Sequence, residues 1–141
     1  MSIVKRSGRG LGAILVCAAL SGYSSLALSS EVTLSGSQEV PPVTTSAKGK
    51  GTITVGSDKS VSGKISTSGV EGVAAHIHTG APGKNGPVII PLTKGTGGEW
   101  SVPPSAKLTD DQYKSYQAGD LYVNVHSAAN KGGEIRGQLQ P

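Results

Sequence analysis

Apolar and polar residues alternate in period two along much of the chain beyond residue 30, and this alternation predicts short β-strands. Glu31-Val32-Thr33-Leu34-Ser35 begins the series. Residues 50–55 and 60–67 follow as a hairpin, with Val61, Gly63 and Ile65 on one face and Gly56-Ser57-Asp58-Lys59 as its turn. Between them and the first strand, Val40-Pro41-Pro42-Val43 cannot donate a full ladder, so it reads as an edge or a crossing loop. Residues 73–79 form the next strand, followed by a Gly- and Pro-rich loop over 80–86 and the apolar run Pro87-Val88-Ile89-Ile90-Pro91-Leu92. The chain closes with strands over 120–127 and 134–139, joined by a turn through Asn130-Lys131-Gly132-Gly133. One segment departs from the pattern. Thr109-Asp110-Asp111-Gln112 has the form of a capping box, and Gly119 stands where a helix end favours a left-handed residue, so a short helix is expected over 110–118.

The alternation also assigns faces. Val73, Ala75 and Ile77 oppose Ala74, His76 and His78; Leu121, Val123 and Val125 oppose Tyr122, Asn124 and His126. In the last strand Ile135 and Leu139 oppose Glu134, Arg136 and Gln138. The apolar sets are expected in the core and the polar sets turned away from it. All three histidines of the chain fall on polar faces.

The first 29 residues read as a secretory signal peptide, leaving one domain over 31–141. Lys5, Arg6 and Arg9 form a positive start, an apolar stretch of about ten residues follows over 11–20, and Ser25-Leu26-Ala27 or Ala27-Leu28-Ser29 offers a cleavage site. The stretch is too short to cross a bilayer comfortably, so no membrane span is expected once the leader is gone. Removing it takes three of the 13 basic residues and none of the 9 acidic ones, so the net charge falls from +4 to about +1. Arg136 is then the only arginine, and without a basic stripe nucleic-acid binding is not expected. The single cysteine, Cys17, also lies in the leader. A secreted or periplasmic domain of this kind has neither disulfides nor thiolate metal ligands. With no Phe and one Trp, its core must come from Val, Ile, Leu and Ala, and the 21 glycines of the whole chain argue for many turns. The expected class is all-β: an antiparallel, Greek-key-like β-sandwich with one short helix.

Histidine supplies the candidate chemistry. His76 and His78, two residues apart on a strand, share one face, and His126 ends a second strand. Three imidazoles with no cysteine suit a single transition-metal ion, copper first and zinc second. Glu39, Asn124 and Glu134 are candidates to accept the imidazole N–H groups that do not face the ion. The plainer alternative is that each histidine bonds loop carbonyls at a strand end. Glu134 and Arg136, two apart on one strand, are expected to form an ion pair or cross-strand hydrogen bonds. Residues 81–87 lack the Gly-Lys-Ser/Thr ending of a phosphate loop, and no Gly-x-Ser-x-Gly nucleophile motif occurs.

Four blocks, in order, resemble the CHRD domain, a module named for its repeats in chordin and also found singly in secreted bacterial proteins. They are Leu34-Ser35-Gly36-Ser37-Gln38-Glu39-Val40-Pro41-Pro42-Val43; Ala75-His76-Ile77-His78 with Gly80 and Asn85-Gly86-Pro87-Val88; Gly119-Asp120-Leu121-Tyr122-Val123-Asn124-Val125-His126; and Gly133-Glu134-Ile135-Arg136-Gly137-Gln138-Leu139. The resemblance spans nearly all of 31–139 and implies an antiparallel β-sandwich with an immunoglobulin-like or dismutase-like look; it implies little about activity. The His-x-His strand is also similar to that of copper/zinc superoxide dismutases, but three histidines are too few for their second metal and no cysteine remains for their disulfide. Three functions are therefore carried forward. The first is an exported copper-binding protein without required turnover. The second is an extracellular module that binds protein or carbohydrate through exposed strands and Tyr or Trp side chains. The third is a mononuclear copper superoxide dismutase-like enzyme, with Arg136 as a guide for the anion.

Overall fold

The computed structural model describes residues 27–141, so the leader expected over 1–29 lies outside the described residues as far as residue 26. The elements run β1 Ala27–Ser35, β2 Lys48–Gly56, β3 Val61–Ser68, β4 Gly72–Thr79, β5 Val88–Pro91, β6 Thr93–Lys94, β7 Glu99–Ser101, α1 Asp110–Gln117, β8 Leu121–Ser127 and β9 Ile135–Leu139. All strand pairings are antiparallel, in the order β5-β4-β8-β9-β1-β2-β3-β7-β6. The sheet folds back on itself like a sandwich. At one seam β9 is paired in register with β1 only at Ser35 and Arg136. At the other the chain passes from β5, paired with β4, into β6, paired with β7, and Leu92 N–H donates to Ala75 O at 2.9 Å where it crosses. The sheet is thus nearly closed around one core. Val32, Leu34, Ile53, Ile65, Ile77, Val123 and Ile135 meet there, each at most 1% exposed. Burying each such side chain contributes about 1.5–3 kcal/mol, the main favourable term for a domain without Phe.

Local sequence explains most of the elements. The β2–β3 turn is held by Asp58, whose carboxylate accepts from Ser60 N–H and Oγ–H at 3.1 and 2.6 Å. The capping box forms as expected. Thr109 Oγ1 accepts from Gln112 N–H at 3.2 Å, and Gln112 Oε1 accepts from Thr109 N–H at 2.9 Å. Tyr116, 1% exposed, fixes α1 to the body, and Gly119 at φ +79° ends it.

Three features depart from the sequence pattern. Val73, expected in the core, is 59% exposed. Gly72 pairs with Ser127 but Ala74 pairs with His126, so Val73 is the extra residue of a bulge and its side chain drops out of the alternation. Gly72 stays inward instead, against Trp100 and Val125. Strands β6 and β7 carried no visible period because they are only two and three residues long. The third departure concerns the polar face of β4, β8 and β9. It is turned from the apolar core, yet it is not a solvent surface, because the loops over 39–43 and 80–86 cover it.

Candidate metal centre

Sheet order brings the three histidines together. β4 and β8 are neighbours, with His76 opposite Asn124, His78 opposite Tyr122 and Ala74 opposite His126. The side chains meet on the diagonals. His76 Nδ1 lies 3.0 Å from His126 Nε2, and His78 Nε2 lies 2.9 Å from Asn124 Oδ1. One ring nitrogen from each histidine can be chosen so that the three lie within 4.8 Å of one another. Ligand atoms on one ion are separated by at most about 4.2 Å, twice a bond of about 2.1 Å. The widest pair therefore needs to close by about 0.6 Å if its two nitrogens sit opposite each other on the ion, and by more at smaller angles.

The surroundings decide which nitrogens are free. His126 Nδ1 faces Lys131 O at 2.8 Å, and a carbonyl only accepts, so Nδ1 carries the proton and Nε2 keeps its lone pair. His76 Nδ1–H then donates to that lone pair when no ion is present. His78 Nδ1 likewise donates to Gly86 O at 2.9 Å, leaving Nε2 as its only ligating nitrogen. His76 and His126 are half-buried, whereas His78 is 7% exposed. Burial, followed by the neighbouring imidazoles, lowers the pKa of His76; burial also lowers that of His78, against the pull of Gly86 and Asn124. Both shifts favour the neutral rings that a metal requires.

A polar layer extends from this cluster. The Tyr122 ring stacks on His78, 4.6 Å between centroids and 5° from parallel, and the Arg136 guanidinium lies 3.5 Å from the same ring. Arg136, 1% exposed, donates to the carbonyls of Lys84 and Ala81 at 2.9 and 3.1 Å, and Gln138 donates to Gly80 O at 2.8 Å. Asn85 ties the same loop to Val40 O at 2.7 Å. Arg136 therefore organises the loop over 80–86. It forms no ion pair with Glu134, contrary to one expectation from their spacing, because its fork is turned into that loop. Its burial also removes it from the role of anion guide.

The three expected partners of the imidazoles separate in the structure. Asn124 contacts His78 directly. Glu134 accepts from Thr45 Oγ1 at 2.7 Å instead, and hydrogen bonds from Ser127 and Thr45 hold its pKa low. Glu39 lies one step further along, beyond Asn124. It is 4% exposed, its Oε1 makes no hydrogen bond among the described residues, and burial pushes its carboxyl up to about 7 against the pull of Asn124 and the Arg136 charge. The sequence offered Glu39 as an acceptor for an imidazole N–H, and the structure sets it behind Asn124. The aromatic residues that the binding-module reading wanted at the surface are mostly internal: Trp100 and Tyr122 are 2% exposed and Tyr116 1%.

A family model, the CHRD domain, matches residues 30–139 of the chain. Neither a curated protein nor a solved structure matches it.

Proposed function

The chain belongs to the CHRD domain family, and from that premise we propose that it is an exported protein binding one transition-metal ion through His76, His78 and His126. Supporting the reading is the convergence of three ring nitrogens within 4.8 Å, two of them 3.0 Å apart and turned toward each other. With metal–nitrogen bonds of about 2.05 Å, a separation of 3.0 Å between His76 Nδ1 and His126 Nε2 corresponds to an angle of about 94° at the ion. Copper is the divalent ion that nitrogen ligands hold most strongly. The Nδ1–H bonds to Lys131 O and Gly86 O fix the rings of His126 and His78 as outer hydrogen bonds do in metal sites. The role is binding and handling of copper in the secreted or periplasmic space, and no feature of the site calls for turnover.

Metal analysis of the purified protein, followed by Cu(II) titration watched by EPR, tests this. The expected result is one equivalent with nitrogen couplings from imidazole, lost in His76→Ala and His126→Ala. Weak, sub-stoichiometric binding that is the same in both variants overturns the proposal.

A further inference from the structure

A fourth group faces the histidine cluster, and its orientation is fixed from behind. The two ends of the Asn124 amide meet different neighbours: Oδ1 points to His78 Nε2 at 2.9 Å, while Nδ2 points to Gly132 O at 3.5 Å. Nδ2 also lies beside the Glu39 carboxylate. A Cβ placed on Gly133 would collide with both Glu39 Oε1 and Asn124 Nδ2, so the two atoms flank one α-carbon. Gly132 O can only accept, and the Glu39 carboxyl, whose Oε1 makes no hydrogen bond among the described residues, lies on the same side. Two acceptors behind Asn124 demand the amide nitrogen there, and the carbonyl oxygen must face His78.

This leaves two electron pairs converging. His78 donates its Nδ1–H to Gly86 O, so a neutral ring presents a lone pair at Nε2. Asn124 presents the lone pairs of Oδ1 to the same point. Lone pairs 2.9 Å apart repel unless a cation, proton or metal, lies between them. For metal–ligand bonds of about 2.05 Å, 2.9 Å subtends about 90°. The His76–His126 pair on the neighbouring diagonal subtends nearly the same angle. Two such pairs within one cluster describe a four-ligand set of three nitrogens and one oxygen.

We infer that Asn124 is a metal ligand through Oδ1, completing the three-imidazole site, and that Glu39 and Gly132 O position it by holding its amide nitrogen on the far side. The inference rests on the metal reading above and deepens it. It assigns the site a neutral oxygen donor, which Cu(II) and zinc accept and Cu(I) does not favour. A purely outer role for Asn124 requires instead that His78 keep a proton at Nε2 and stay out of the coordination sphere.

The test uses the full chain grown with asparagine labelled with 13C at the side-chain carbonyl and loaded with one equivalent of Cu(II). Pulsed hyperfine spectroscopy is expected to show three imidazole nitrogen couplings together with a 13C coupling from a ligating amide. That 13C signal disappears in Asn124→Asp, which keeps an oxygen ligand, adds charge and tightens binding. Asn124→Leu is expected to retain nitrogen couplings while its copper affinity falls about tenfold or more. Three nitrogen couplings with no 13C coupling in the unsubstituted chain overturn the assignment of Asn124 and leave the three-histidine reading standing. Absence of any imidazole coupling overturns both. Because the labelled chain carries no substitution, a folding defect in either variant does not affect the decisive measurement.

Discussion

Replacing Glu39 by Gln should make the protein more stable at neutral pH, by an amount that disappears in acid. The carboxyl is 4% exposed, and burial raises its pKa from 4.5 to about 7. Converted at about 1.4 kcal/mol per pH unit, that rise is worth about 3 kcal/mol. The carboxyl lies close beneath the surface, where solvent screens part of the cost, so this is an upper figure. Because the folded pKa lies above the unfolded one, the folded protein holds a proton that the unfolded chain has released anywhere between about 4.5 and 7. Glu39 therefore costs nothing below about pH 4.5, and its full penalty is present once the pH has risen through about 7.

Urea unfolding of the wild type and Glu39→Gln, with chelator present and at intervals from about pH 4.5 to 8.5, measures the difference directly. Gln keeps an acceptor oxygen for Asn124 Nδ2 and removes only the charge. The variant's advantage should be near zero at the acid end, grow by about 1.4 kcal/mol per pH unit and level off at or below about 3 kcal/mol. His76 and His78 act in the opposite direction, since their lowered pKa values weaken the fold as the pH drops below the ordinary histidine value. They do so in both proteins and cancel in the difference. A difference independent of pH refutes the reasoning. So does a wild type that gains on the variant as pH rises, because Glu39 would then be an ionised partner of the buried Arg136.

Arg136→Lys should destabilise the fold by about 2–4 kcal/mol in urea unfolding, since a lysine cannot bridge the Ala81 and Lys84 carbonyls while stacked on Tyr122. Cleavage by added protease within residues 80–86 should quicken in the same variant, and unchanged stability would count against the clamp. Gly133→Ala places an L side chain at φ +128° and drives its Cβ toward Glu39 and Asn124; a loss of about 1–3 kcal/mol is expected in the same assay, with weakened copper binding by titration. Thr109→Ala removes the helix cap and should lower stability by about 1 kcal/mol without changing metal affinity, which separates the helix from the site.

What the sequence disclosed and what it withheld divide along a physical line. The β2–β3 hairpin, α1, β8 and β9 announce themselves because their signals are local: alternation over several residues, an Asp-Lys turn, a Thr and a Gln three apart. The facing of the histidines was legible for the same reason. Val73 was misplaced because a bulge is set by pairing with β8, and nothing in Gly72-Val73-Ala74 alone reveals it. The covering of the polar face was also out of reach. It depends on Arg136 and Gln138 meeting carbonyls more than fifty residues away in sequence. The one usable hint was the composition of β9, where an arginine and a glutamine alternate with core residues in a chain that has no other arginine beyond its first nine residues.

That polar layer explains why a histidine cluster able to hold a metal ion lies at this place in the fold. Loops laid over a sheet bring carbonyls that must be hydrogen-bonded once they leave water. Here the sheet answers with side-chain donors: Arg136 and Gln138 under residues 80–84, and His78 under Gly86. An imidazole used in this way has one nitrogen committed to a carbonyl and the other aimed back across the sheet with its lone pair exposed to its neighbours. His126, pinned to Lys131 O at the rim, is oriented by the same logic. The bonds that satisfy the loops thereby fix the tautomers of two of the three histidines. The cover ends between buried His78 and half-buried His76 and His126, so the cluster is closed on one side and open on the other. The plain reading of these histidines as loop supports and the metal reading are consequently one arrangement: the hydrogen bonds required by the first supply the preorganisation required by the second.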